Sequence, residues 1–204
     1  MSTYGERIRD EMGDRGLLNS QDESKAQVEM LHRLPAAAVA AFAVAAADRL
    51  LRNVEESAGG DALARWRILV DAIWDFLAGN EARLGVVRDE VSRLDALLAE
   101  PDNYESPGLE EADLDHVAAA LFAAKALVDG SAEAAATAGS RAFDAAWLRA
   151  ADDIQPDGGV LDVDMAVRIE ADPRVQAEMS RQRADLELLA GEGLTQNVVT
   201  RLRE

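Results

Sequence analysis

The sequence contains no cysteine, only two lysines and few aromatic residues. Without cysteine the chain forms no disulfide and has no thiolate to act as a nucleophile or metal ligand, which fits a reducing compartment such as the cytoplasm. Basic side chains are also scarce, since 21 arginines and lysines stand against 39 acids and give a net charge of −18. Such a surface repels nucleic-acid backbones and anionic membranes, so neither is expected as a partner.

The chain also lacks an apolar run long enough to cross a membrane. The longest run, residues 34–51, is interrupted at Asp48 and Arg49 and falls short of the roughly 20 apolar residues that a span needs. The segment before it carries charges of both signs, unlike an export signal. Pro35 suits the first helical position, and alanine favours helix strongly. The large apolar residues of this run spread over an arc of more than half the helix circumference, so we interpret the run as a buried helix, covered on most sides, at the centre of a bundle.

Apolar residues recur at helical spacing in the rest of the chain, and no stretch shows the alternation typical of a strand. The second helix is expected to bury one stripe, made of Trp66, Leu69, Val70, Ile73, Trp74 and Leu77. The helix after Asp113 is expected to bury another, made of Leu114, Val117, Leu121, Phe122 and Val128. The expected starts or caps of further helices are Asp61, Leu84, Asp113, Ser131, Met165, Asp172 and Thr195. This pattern predicts an all-α, single-domain bundle of about six or seven helices around a central Ala-rich helix. Residues 1–26 are expected to form a loosely ordered arm, and residues 27–204 a single helical domain.

Three segments carry a resemblance to a known family, namely "LHRLPAAAVAAFAVAAADRLLRN", "RWRILVDAIWDFL" and "ADPRVQAEMSRQRADLELL". In order and spacing they resemble the bacterial family called domain of unknown function 416, over about residue 31 to the C-terminus. The resemblance implies a compact helical fold and transfers no functional residue, because the family carries no established activity. A looser similarity, of architecture and acidity, links the chain to helical immunity proteins that neutralise toxins.

The sharpest catalytic pattern is an acid three residues before a histidine, found at Glu29/His32 and at Asp113/His116. Di-iron carboxylate bundles use two such pairs, because this spacing places a carboxylate and an imidazole on one helix face. However, His32 lies just before Pro35, where helical geometry is disfavoured, and Asp113 is better placed as a helix N-cap with His116 on the solvent side. We therefore predict no metal-ligating residue.

Other chemically suggestive residues have simpler structural explanations. Lys125 lies on an apolar face, where desolvation could make it a base, but pairing with a carboxylate or extension to solvent is expected instead. Glu55-Glu56, Glu110-Glu111 and Asp152-Asp153 could bind cations or act as an acid and base, and their places at helix ends favour solvation. Gly158-Gly159 lacks the spacing of a nucleotide-binding loop. Trp66, Trp74 and Trp147 are expected in the core.

The sequence therefore favours a non-catalytic, acidic protein-interaction module that binds a basic protein partner. It assigns no catalytic or cofactor-binding residue and no cofactor. Two alternatives remain open, an immunity-type protein that neutralises a basic toxin and a carboxylate-based or metal-dependent enzyme. Genome composition or adaptation to salt explains the same acidity without a partner.

Overall fold

A computed structural model describes residues 25–55, 64–99, 111–154 and 162–204 of the chain. Within these ranges the fold is all-α, as predicted, and contains no strand. The helices are α1 (25–31), α2 (Ala36–Glu55), α3 (Ala64–Leu77), α4 (Arg83–Ala99), α5 (Glu111–Asp129), α6 (Ala132–Ile154), α7 (Val163–Glu170), α8 (Pro173–Glu192) and α9 (Gln196–Arg203).

The described ranges thus hold nine helices, so the predicted count of six or seven was wrong. The short helical piece expected around Met165 is helix α7, and α1 adds a further short helix at residues 25–31, across the predicted boundary between the arm and the helical domain. Nearly all of the predicted N-terminal arm lies outside the described residues, as do Asp61 and Gly158-Gly159. No helix in the described ranges is both long and apolar enough to cross a membrane.

The Ala-rich helix α2 is the central element, as predicted. It packs against α3, α5, α6, α8 and α9, and every residue from 38 to 48 is buried. Pro35 lies one residue earlier than predicted, because the helix begins at Ala36 and the Pro35 carbonyl accepts the N–H groups of Ala38 and Val39. A proline N-terminal to the first turn removes no helical hydrogen bond.

Alanines make up most of the buried residues of α2, α5 and α6. On α5 the fully buried residues are Ala119, Ala120, Ala123, Ala124 and Ala126. The predicted stripe of that helix is less buried, since Val117, Phe122 and Val128 are only partly covered. Small side chains allow helix axes to approach closely, and close approach covers the alanine faces first.

Large buried side chains lie on both α2 and α3, and a second, smaller cluster stands beside this core. Trp66, Leu69 and Ile73 are buried on α3, as predicted. Phe143 and Trp147 of α6 are instead half-buried, in the cluster that joins α6 to α7 and α8. This cluster is built around Ala150, Ile169 and Val175.

Two of the predicted capping residues, Asp172 and Thr195, cap their helices. The Asp172 carboxylate accepts the N–H of Arg174, and the Thr195 hydroxyl accepts that of Val198. Hydrogen bonds from the Arg174 side chain and backbone lower the pKa of Asp172 to about 2. Asp113 is not a cap, because α5 already begins at Glu111.

Gly139 lies on a face of α6 that packs tightly against neighbouring side chains. A Cβ atom there would lie 2.9 Å from Gln182 Oε1 and 3.3 Å from Phe42 Cε1, whereas one at Gly85 on α4 would meet nothing within 4 Å. We expect Gly139→Ala to lower the free energy of unfolding by about 1–3 kcal/mol relative to Gly85→Ala, because overpacking forces buried groups to shift. Urea denaturation of both variants measures this difference, and equal stabilities would contradict it.

Candidate functional site

Two neighbouring charged residues, Asp48 and Arg49, lie among the largely buried residues of α2. Asp48 is 4% exposed, and its carboxylate pairs with the guanidinium of Arg67 and accepts the indole N–H of Trp74 at 3.2 Å. Arg52, one turn later on α2, is 3.8 Å from the same carboxylate. Asp48 therefore joins α2 to α3 through the indole N–H of Trp74 and the guanidinium of Arg67.

Arg49 makes the corresponding connection to α8. Its Nη1 atom donates to Asp185 Oδ2 at 2.7 Å, and its Nη2 atom donates to Glu178 Oε1 at 3.2 Å. Burial lowers the pKa of Arg49, but attraction to Glu178 and Asp185 outweighs burial and raises it. Burial also raises the pKa of Asp185, although attraction to Arg49 opposes this. Arg49 therefore stays charged and holds two carboxylates in place.

A chain of amide hydrogen bonds extends this network to α1 and α6. Gln182 Nε2 donates to Glu178 Oε1 at 2.8 Å and to the Gly139 carbonyl at 2.9 Å. Gln27 Nε2 donates in turn to Gln182 Oε1 at 2.8 Å. Buried polar groups that all find partners fix a single arrangement of the helices around them. The network therefore sets the positions of α1, α6 and α8 relative to α2.

An open cleft of about 560 Å³ lies beside Arg49, where α2, α6 and α8 meet. Five guanidinium groups line this arginine cleft, and they belong to Arg49, Arg52, Arg149, Arg174 and Arg181. The spacing of these arginines along α2 and α8 explains why their side chains meet in one cleft. Positions 49 and 52 share a face of α2, and positions 174 and 181 share a face of α8 with Glu178 between them. The cleft gathers positive charge in a protein whose net charge is −18.

The two predicted acid and histidine pairs lie in different environments. His32 is exposed on the turn after α1 and lies 3.2 Å from Glu133, while Glu29 pairs with Arg33 at 3.8 Å. His116 is 3% exposed, so its predicted place on the solvent side was wrong. It faces inward because α5 buries its alanine face and the residues beside it. Among the described residues, no three metal-ligating side chains form a group.

The other residues considered from the sequence also have defined positions. Lys125 is half-buried, and Trp66 and Trp74 are buried as predicted, whereas Trp147 is half-buried. Asp152 and Asp153 are exposed at the end of α6, where Asp153 pairs with Arg174 at 2.6 Å. Glu56 and Glu110 lie outside the described residues.

Sequence reasoning missed the network around Asp48 and Arg49. The two residues were used only to mark the end of an apolar run, although α2 was predicted to be covered on most sides. A charged pair inside a covered helix predicts buried partners, because an unpaired buried charge is costly. The identities of Glu178, Asp185 and Gln182 carry no such signal, since they lie among many polar residues of α8.

An alanine-rich central helix, packed among helices and tied to them by buried ion pairs, defines the chain as an all-α helical protein. A solved structure, that of a DUF416 family protein from Shewanella baltica, has this fold. The two structures align over 86% of this chain and 90% of the Shewanella baltica chain, with a TM-score of 0.55 and 19% sequence identity. Neither a protein-family model nor a curated protein matches the chain. The likeness confirms the resemblance to the domain of unknown function 416 family at the level of the fold.

Proposed function

We propose that the protein is a non-catalytic interaction module of the bacterial cytoplasm, related to the domain of unknown function 416 family, and that it binds a basic protein partner. The observation that supports this most directly is the outer face of α7. Val163 and Val167 lie one turn apart and are 45% and 50% exposed. The exposed carboxylates of Asp162 and Asp164 flank them. We call these four residues the α7 face.

The α7 face combines exposed apolar side chains with negative charge, a composition suited to binding a basic protein. Paired exposed apolar side chains gain free energy when a partner covers them. The surrounding carboxylates select a partner with basic side chains and speed its approach. Arg168 is the only basic residue on α7, so a basic partner experiences little repulsion there.

The buried acids support the non-catalytic part of the proposal. Asp48, Glu178 and Asp185 each accept hydrogen bonds from a guanidinium. A catalytic carboxylate must instead reach a substrate with a pKa suited to proton transfer. The hydrogen bonds of these three acids connect helices, which is a structural role.

Affinity capture followed by binding kinetics tests the proposed interaction. We expect the protein to retain a basic partner from native lysate at low salt. The association rate with that purified partner should fall about tenfold between about 50 and about 300 mM salt, because salt screens the attraction that steers the encounter. The double variant Asp162→Asn, Asp164→Asn should slow association in the same way. Asparagine still caps a helix, so α7 keeps its N-terminal hydrogen bond.

A variant with the same change of charge elsewhere provides the control. Glu81→Gln with Asp89→Asn removes two exposed carboxylates near the start of α4 and is expected to leave the association rate within about twofold of the original. Three results would reject the proposed function: no basic protein enriched at low salt, an association rate independent of salt, or equal slowing by the two double variants.

A further inference from the structure

The arginine cleft contains guanidinium groups with two different roles. Arg49 is held by Glu178 and Asp185, as described above. Arg174 is held in a similar way, since its Nη1 atom donates to Asp153 Oδ2 at 2.6 Å and its Nε atom donates to Asp172 Oδ1 at 2.9 Å. These two arginines form part of the wall of the cleft, and carboxylates of the protein already occupy their donors.

The other three arginines have donors left over. Among the residues that the structure describes, neither Arg149 nor Arg181 forms a salt bridge within 4 Å, although Arg181 attracts the carboxylate of Asp185 one turn further along α8. Arg52 makes only long contacts, 3.8 Å to the Asp48 carboxylate and 3.5 Å to the Glu204 carbonyl, and Asp48 is already bonded to Arg67 and Trp74. Three incompletely bonded cations therefore line one cleft.

These three side chains reach the cleft from three different helices, because Arg52 belongs to α2, Arg149 to α6 and Arg181 to α8. A carboxylate is planar and is best bound by one guanidinium through two parallel hydrogen bonds. A phosphate group is tetrahedral and directs its oxygens to several sides, so it can accept hydrogen bonds from donors on different helices. The arrangement thus matches phosphate better than carboxylate.

We infer that the arginine cleft binds the phosphate group of a small molecule through Arg52, Arg149 and Arg181. The volume of about 560 Å³ lies within the range of about 300–1,000 Å³ of small-molecule sites. Small side chains, Ala142, Ala146 and Ala177, form part of the wall and leave space for the rest of the ligand. Two acids, Glu178 and Glu204, also line the cleft, so its five arginines outnumber its acids. The net charge of −18 repels a nucleic acid, whereas a small anion experiences mainly the local charge. This inference is independent of the α7 face.

Titration of the full-length protein with inorganic phosphate, at constant ionic strength, tests the inference. We expect saturable binding by calorimetry. The double variant Arg149→Gln, Arg181→Gln should raise the dissociation constant at least about tenfold, because each lost charge-assisted hydrogen bond contributes substantially to binding. Thermal unfolding of the variant without phosphate checks that the fold is retained, and Arg52→Gln provides a second, independent loss of binding.

Arg88→Gln is the matched control, because Arg88 is exposed on α4, a helix that packs against α3 and α5. It should change the dissociation constant for phosphate by less than about twofold. Several results would overturn the inference: no saturable phosphate binding, the same signal from sodium chloride, unchanged binding in the Arg149 and Arg181 double variant, or tighter binding of malonate or a short oligonucleotide than of phosphate.

Discussion

Replacing Arg49 with methionine is expected to lower the free energy of unfolding by about 3–5 kcal/mol. Arg49 is 12% exposed and pairs with both Glu178 and Asp185, which are 12% and 5% exposed. Methionine has a similar length but no charge, so the variant would bury the two carboxylates without the cation that bonds to both. Urea denaturation at neutral pH measures the change.

The loss of stability in Arg49→Met should depend on pH in a defined direction. Burial raises the pKa of Asp185 and attraction to Arg49 opposes this, so removing Arg49 raises the folded-state pKa further. An acid whose folded pKa exceeds its unfolded pKa costs stability once the pH passes the unfolded value, and the full cost is present above the folded value. The deficit of the variant is therefore greatest at neutral pH and narrows in mild acid.

Two further variants separate this explanation from a general effect of lost positive charge. Arg83→Met breaks an exposed pair with Asp75 and should cost about 1 kcal/mol or less. Arg49→Met combined with Asp185→Leu should recover part of the stability, because it removes one of the stranded charges. If Arg49→Met and Arg83→Met cost the same, or if the deficit of Arg49→Met widened in acid, the buried network would not have the role described.

Much of the fold follows from local sequence signals. Asp172 and Thr195 were predicted as caps because their side chains bond to the first turn of their own helix, and this does not depend on the rest of the fold. The central place of α2 follows from the width of its apolar arc. The stripe on α3 was likewise visible, because its large residues recur at helical spacing.

The errors occurred where packing between helices decides the outcome. The face of α5 was assigned from Leu121 and Phe122, yet its alanines are the more deeply buried residues, because α2 presents alanine to it. His116 was placed outside for the same reason. The partners of Arg49 could not be predicted, since Glu178 and Asp185 are more than a hundred positions away and only the crossing of α2 and α8 brings them close.

Trp74 connects the aromatic stripe of α3 to the charge network of α2. Its side chain is fully buried, its indole N–H donates to Asp48, and the guanidinium of Arg203 lies 5.7 Å from its ring centre. We expect Trp74→Ala to lower the free energy of unfolding by about 3–5 kcal/mol, because it leaves a large cavity and removes a hydrogen bond from a buried carboxylate. Denaturation monitored by circular dichroism measures the loss.

Trp74→Phe separates the contribution of the ring from that of its N–H group. Phenylalanine keeps most of the apolar volume, so this variant should lose only about 1–3 kcal/mol, from the missing hydrogen bond to Asp48. Fluorescence provides an independent check in a protein whose other two tryptophans are replaced by phenylalanine. Emission from Trp74 should be blue-shifted and resistant to soluble quenchers, because water does not reach a fully buried indole. A red-shifted and readily quenched signal from the folded protein would place Trp74 at the surface, and the connection between α3 and Asp48 would then be wrong.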